Sequence, residues 1–157
     1  MQPQSFHIEP LADALVRAVR KSASDERGVA ARKVTAQDPR YPCRSCLKEA
    51  RLGAQVLLVS VNPFETDGPY AQRSPVFICV DCERAAETET MPEIVTSRRV
   101  NLRAFGSEET MLYRHSTIVE GREASAAIAA IFQDEAVEKV HIHTALHGCY
   151  LARAVRG

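Results

Sequence analysis

The order of apolar and polar residues predicts strands in several parts of the chain. Residues 56–61 form an apolar run of strand length, which favours a central strand covered on both faces. Residues 99–103 alternate cleanly and residues 111–114 alternate less strictly, so a β-hairpin ending at Gly121 is predicted there. Shorter strands are predicted at four further places: residues 5–9, 32–36, 137–143 and 149–155.

Two stretches have the periodicity of amphipathic helices. After Pro10, apolar residues fall on one side of a helix and charged residues on another. After Gly121, an apolar stripe at steps of three and four is typical of a helix packed on a sheet: Ala124, Ala127, Ile128, Ile131 and Phe132. A third, short helix is predicted at residues 83–87. We therefore expect a single α+β domain over residues 1–157, with a mixed or antiparallel sheet, two main helices and a cysteine-rich substructure at one edge.

Composition narrows the class of protein. The 157 residues suffice for one domain with a substantial core. Twenty basic and twenty acidic residues cancel, so charge gives no reason to expect nucleic acid or an anionic membrane as a partner. The basic residues between Arg17 and Lys33 have acidic neighbours, which favours a solvated face. The start of the chain lacks the basic and apolar regions of a signal peptide, and no apolar run approaches the length of a membrane span.

Cysteine spacing is the strongest chemical signal in the sequence. Cys43 and Cys46 form one Cys-x-x-Cys pair and Cys79 and Cys82 form another, which together can supply the four sulfurs of a tetrahedral zinc site. The first pair lies in a predicted knuckle turn. The second lies between a predicted strand and the short helix predicted at residues 83–87, a layout that resembles a treble clef. We therefore predict a zinc-binding substructure over residues 41–84.

Other uses of these cysteines stay open. Free cysteines are often buried as small hydrophobic residues, and Cys-x-x-Cys pairs also serve thiol redox chemistry. Disulfides are a third alternative, although the odd total of five cysteines points to a reducing compartment and away from a disulfide framework. We expect a cytoplasmic protein.

A second candidate site lies near the end of the chain. Alternation in residues 140–143 places His141 and His143 on one face of a strand, where two imidazoles can share a metal. Cys149 follows the next turn, so a Cys/His nucleophilic pair is possible, and Cys149 and His143 are weak catalytic candidates. The alternatives are histidines on a solvent-facing strand and a cysteine packed in the core. No glycine-rich phosphate loop or serine-nucleophile elbow is present.

Several short motifs resemble one small bacterial family. They are Pro42-Cys43-Arg44, Leu57-Leu58, Pro69-Tyr70, Leu102-Arg103-Ala104-Phe105, Val140-His141-Ile142-His143 and Gly148-Cys149-Tyr150-Leu151-Ala152-Arg153. Their order over nearly the whole chain is similar to that of domain of unknown function 1203, a family with no established activity. The resemblance places Cys43, Arg44, His143 and Cys149 on family motif positions. It also implies that the other three paired cysteines are replaced in many relatives, which would make zinc a structural addition in one branch.

Two hypotheses of function follow. The first is a zinc-stabilised binding or interaction domain without catalytic activity. The second is a small thiol-dependent enzyme or redox protein that uses Cys43 or Cys149 with His143. The sequence does not decide whether the protein is an enzyme, and it indicates no particular substrate, partner or oligomeric state.

Overall fold

Two antiparallel sheets organise the fold in a computed structural model that describes residues 4–38 and 40–157. The larger sheet has the strand order β1-β8-β7-β5-β6 and the smaller has the order β2-β3-β4. The strands are β1 Phe6–Glu9, β2 Arg32–Thr35, β3 Gln55–Val61, β4 Ser74–Cys79, β5 Arg99–Phe105, β6 Thr117–Glu120, β7 Lys139–Thr144 and β8 Tyr150–Arg156. The helices are α1 Asp13–Ser22, α2 Glu93–Thr96 and α3 Ala124–Ile131. The predicted α+β class, with two main helices, is confirmed.

The larger sheet has one apolar face, which packs against α3. Ile128 and Ile131 of the helix meet Leu102 of β5 and Val140 and Ile142 of β7 in a single buried cluster. Each of these side chains contributes about 1.5–3 kcal/mol by leaving water. The apolar stripe of α3 therefore packs on the sheet, as predicted. Because side chains alternate across a strand, His141, between Val140 and Ile142, must face the other way.

The smaller sheet packs against α1. Val16 and Val19 of the helix contact a cluster that includes Val59 of β3 and Ile78 of β4. The strand β3 lies between β2 and β4, so its central position is confirmed. Its burial is not complete on both faces, because Leu58 is only half-buried. Each end of α1 reaches a different candidate site.

The short helix predicted at residues 83–87 is wrong. The chain there has no helical turn, and contacts from distant segments hold it in an irregular path. The backbone N–H of Ala85 donates to the Ser45 carbonyl at 2.8 Å, and Arg84 Nε donates to the Leu11 carbonyl at 2.9 Å. Five residues form too few helical hydrogen bonds to outweigh such contacts. The predicted treble-clef layout is wrong for the same reason. It requires a helix after the second cysteine pair, and that pair leads instead from a strand into this irregular segment.

The second strand of the predicted hairpin is also displaced. Residues 111–114 form no strand, although Met111 bridges Phe105 in the antiparallel sense. The strand next to β5 at the edge of the sheet is β6, in a register that places Leu102 opposite Thr117. Glu108 and Glu109 have positive φ angles of 57° and 53°, which turn the chain away from a tight hairpin. Glu109 is buried and its carboxylate accepts a hydrogen bond from Lys139 Nζ at 2.8 Å. The strand ends before Gly121, as predicted.

No helix among the residues described combines the length and apolar character needed to cross a membrane.

Candidate metal centre and polar sheet face

The four paired cysteines come together at one end of the smaller sheet. A ligand sulfur from each of Cys43, Cys46, Cys79 and Cys82 lies within 4.8 Å of the other three. The sulfurs of Cys43 and Cys82 are 3.8 Å apart. A tetrahedral zinc with bonds of about 2.3 Å to sulfur has edges of about 3.8 Å. The cluster therefore has the donor set and the size that one tetrahedral metal ion requires.

Backbone N–H groups surround the innermost sulfur. Cys43 Sγ accepts hydrogen bonds from the N–H groups of Ser45 at 3.4 Å, Cys46 at 3.5 Å and Cys79 at 3.3 Å. The turn closes where the Leu47 N–H donates to the Cys43 carbonyl, with Leu47 in the left-handed region at φ 60°. Donors aimed at a sulfur favour its thiolate form, which is the form that binds metal. The local backbone thus favours the thiolate form of Cys43.

Four thiols this close cannot all ionise without a cation. Hydrogen bonds from the side chains of Cys46, Cys79 and Cys82 hold the pKa of Cys43 far below its usual range. The same contact with Cys43 raises the pKa of Cys46 and that of Cys79. The contact with Cys43 also opposes ionisation of Cys82, but hydrogen bonds from Cys46 and Cys79 outweigh it and lower the pKa of Cys82 to about 7, so two thiols are favoured as thiolates at the expense of the other two. A divalent metal ion removes this conflict, because its charge favours the ionised form of every ligand.

Arg20 of α1 completes the surroundings of the second pair. Its Nη2 donates to the Cys79 carbonyl at 2.9 Å and to Cys82 Sγ at 3.2 Å, and its Nε donates to the same carbonyl at 3.1 Å. The sequence placed this arginine on a solvated face, and that interpretation is wrong for Arg20. Its partners lie about 60 residues further along the chain, so local charge balance gave no signal of the contact.

His141 and His143 lie on one face of β7, as the alternation predicted. Their rings stack with centroids 6.3 Å apart. The solvent-facing alternative is wrong, because the two residues are 0% and 3% exposed. Burial lowers the pKa of His141 to about 3 and that of His143 to about 4, so both rings are neutral at pH 7.

The histidine face is short of hydrogen-bond partners. His143 Nδ1 lies 3.0 Å from the Gly148 carbonyl, which accepts its hydrogen. Among the described residues, His143 Nε2, both ring nitrogens of His141 and Oδ1 of the adjacent Asn101 have no partner. No third metal-ligating side chain in the described part of the chain joins the two histidines. Phe64, from the loop after β3, covers His141 with ring centroids 4.8 Å apart.

Cys149 stands apart from both groups. It is half-buried, and its Sγ has the His147 carbonyl as hydrogen-bond partner at 3.9 Å rather than His143.

Arg44, which is 2% exposed, joins the cysteine turn to β8: its Nε donates to the Tyr150 carbonyl at 2.6 Å and its Nη1 to the Pro42 carbonyl at 2.5 Å. Burial lowers the pKa of Arg44 to about 10. Arg44 is thus a structural link between the two regions that carry the family-like motifs.

Comparison with protein families settles the kinship of the chain. The model of the family described as "Protein of unknown function (DUF1203)" matches residues 40–156. The chain belongs to this family. The match covers the cysteine cluster, β7 and Cys149, whereas β1 and α1 of this DUF1203 protein precede it. Comparisons with curated proteins and with solved structures gave no match.

Proposed function

We propose that this DUF1203 protein is a zinc-stabilised binding domain without catalytic activity, in which Cys43, Cys46, Cys79 and Cys82 hold one zinc ion. The observation that carries the proposal is the convergence of four sulfurs within 4.8 Å of one another. Thiolate ligands in a tetrahedral set are typical of zinc. Carboxylate groups, which favour magnesium, calcium or manganese, are absent from this cluster among the described residues.

The arrangement supports a structural role. Zinc bound here would supply cross-linking between the ligands and a positive charge that keeps all four thiols ionised. A set of four cysteines leaves no coordination position for a substrate, in contrast to catalytic zinc sites, which have three protein ligands and an open position. The residues themselves connect three parts of the fold: the turn at Cys43, the end of β4 at Cys79, and α1 through Arg20.

The thiol-dependent enzyme is the alternative, and one preparation of protein distinguishes the two. We expect about one zinc per chain after dialysis, with the four clustered thiols unreactive toward iodoacetamide until the protein is denatured. Cys149 should be labelled slowly, and His143→Ala should leave its rate unchanged, because His143 bonds to Gly148 instead. Metal-free protein with a single fast-reacting thiol that slows on His143→Ala would favour the enzyme and contradict the zinc-stabilised domain.

Arg20 provides a separate prediction about metal retention. Replacing Arg20 by methionine keeps much of its length but removes the hydrogen bonds to Cys82 Sγ and the Cys79 carbonyl. A hydrogen bond to a charged group contributes about 1.5–3 kcal/mol, so we expect zinc to leave about tenfold faster when a chelator is added. The release can be followed with a zinc-sensitive dye. Arg17→Met, one turn earlier on the exposed side of α1, is the matched control and should not change the rate.

A further inference from the structure

A cavity of about 460 Å³ lies beside the first turn of α1, outside the cysteine cluster. Its walls come from the end of β1, the start of α1, the loop after β3, the segment at residues 84–87 and β8. Cavities of about 300–1,000 Å³ are typical of small-molecule sites. The apolar part of the wall includes Leu11, Pro63 and Phe64. The cavity therefore has the size and the partly aromatic lining of a ligand site.

Most charged groups around this cavity already have partners. Arg153 donates to Glu9 at 2.7 Å and to Glu65 at 2.9 Å. Asp13 pairs with Arg17 at 2.8 Å, and Glu87 is mostly exposed and lies 3.3 Å from His7 Nε2. The exception is Arg84, which also lines the cavity.

Arg84 and the start of α1 together offer unused donors. Arg84 uses its Nε to bond the Leu11 carbonyl, and within residues 4–38 and 40–157 its terminal nitrogens have no acceptor. The helix begins at Asp13 after Ala12, and no side chain caps its first N–H groups. Free N–H groups at a helix N-terminus carry partial positive charge and favour anions. Leu11, Ala12 and Asp13 all line the cavity.

Tyr150 brings a further hydrogen-bond donor to the wall of this cavity. It lines the cavity although it is only 1% exposed, and its hydroxyl has no hydrogen-bond partner in the described part of the chain. Its backbone is fully engaged, with its N–H bonded to Ser74 Oγ at 2.8 Å. The rings of His141 and His143 pack edge-on against it with centroids 5.3 and 5.6 Å away, which fixes its orientation. The hydroxyl oxygen keeps some accessible surface while the rest of the ring is buried, so it opens onto the cavity, where a ligand can reach it.

We propose that this cavity binds a small organic carboxylate, whose oxygens accept hydrogen bonds from Arg84, from the first N–H groups of α1 and from the Tyr150 hydroxyl. The body of the ligand lies against Phe64 and Leu11. Burial raises the pKa of Tyr150, so the hydroxyl stays protonated and can donate to an anion. The carboxylates of Glu65 and Glu87 stand at the more exposed side of the cavity, where an amino group on the same ligand is tolerated. This inference rests on the binding role proposed above, for which it names a ligand class, but it does not depend on which metal the cysteines hold.

The test compares three probes that share an aromatic body and differ in charge. Titration calorimetry on zinc-containing protein should show binding of 3-phenylpropionate and of phenylalanine, and no binding of phenethylamine. Tyr150→Phe removes a single hydrogen-bond donor without changing the ring, and Arg84→Gln removes the unpaired charge. Each should weaken the binding of 3-phenylpropionate about tenfold or more, because each removes a hydrogen bond to a charged group. Arg122→Gln, on the exposed surface of the segment before α3, should not change it.

The outcomes are separable from those of the metal proposal. Zinc content is measured on every sample, so failure of both 3-phenylpropionate and phenylalanine to bind zinc-containing protein would overturn the carboxylate site alone. Stronger binding of phenethylamine than of 3-phenylpropionate would overturn it as well. Arg84→Lys retains the charge and should recover part of the affinity lost in Arg84→Gln. An equal loss in both variants, with unchanged melting temperatures, would contradict the role given to the Arg84 charge.

Discussion

Replacing Cys43 by serine is expected to lower the melting temperature of this protein by more than about 10 °C. Cys43 is fully buried, and its sulfur accepts three backbone hydrogen bonds in addition to its role as a proposed zinc ligand. Metal-binding free energy at a structural site is folding free energy, of about 10–16 kcal/mol in isolated zinc-finger peptides. This chain also has two apolar cores that do not need the metal. We therefore expect a loss of more than about 4 kcal/mol, at about 2–4 °C for each kcal/mol.

Two further serine variants make the measurement specific. Cys82→Ser removes a more exposed ligand of the same cluster and should have a similar effect, accompanied by loss of zinc. Cys149→Ser is the control, because Cys149 is half-buried and outside the cluster, and it should cost only about 1–3 kcal/mol. Calorimetric melting and metal content are measured on the same samples. Equal and mild effects at all three positions would contradict a structural metal site.

Acidification below pH 6.5 is expected to reduce stability, most steeply near pH 5, where the loss is about 2–3 kcal/mol for each pH unit. The cause is the pair His141 and His143, whose pKa values burial lowers from 6.5 to about 3 and about 4. Near pH 5 the unfolded chain binds about two protons that the folded chain does not bind. Stability therefore rises with pH in this range and is fully present above pH 6.5.

The variant His141→Phe isolates half of this effect. His141 lies among the rings of Phe64, Phe105 and Tyr150, and neither of its ring nitrogens has a partner in the described residues, so phenylalanine should be tolerated. The pH slope should fall by about 1.4 kcal/mol per pH unit, the value for one proton.

The measurement is urea unfolding at several pH values, with the variant compared with the unmodified protein at each pH so that effects of acid on metal binding cancel. His147→Gln serves as the control, because His147 is exposed. A slope unchanged by His141→Phe would show that the buried imidazoles are not the acid-sensitive groups.

The sequence predicted the features that depend on local periodicity. The stripe from Ala124 to Phe132 could pack only as a helix on an apolar sheet face, and the alternation in β7 fixed the relative direction of His141 and His143. Alternation does not predict what covers each face of the sheet, because a strand pattern does not show whether its polar face meets water or another segment. The loop that carries Phe64 covers that side here, and no local pattern predicts its path.

The failures share one physical origin, which is contact between segments distant in sequence. The irregular path of residues 83–87 is held by Ser45 and Leu11, neither of which is near in the sequence. The spacing of the cysteines predicted the cluster because two close pairs constrain each other, but Arg20 had no such partner to mark it. Nor did any motif mark Tyr150 as the wall of a cavity, since its position follows from the pairing of β8 and the packing of α1.

The order of strands in the larger sheet sets when this sheet can form during synthesis on the ribosome. Its edge strand β1 pairs with β8, with Phe6 opposite Arg156, so β1 cannot join this sheet until nearly all of the described chain has been synthesised. Pairings between such distant segments form slowly. The four cysteines, in contrast, all emerge between residues 43 and 82, together with β3 and β4. At synthesis rates of about 5–20 residues per second, several seconds separate the two events. Zinc captured in that interval would hold one half of the nascent chain in its native arrangement while the other half is still being made.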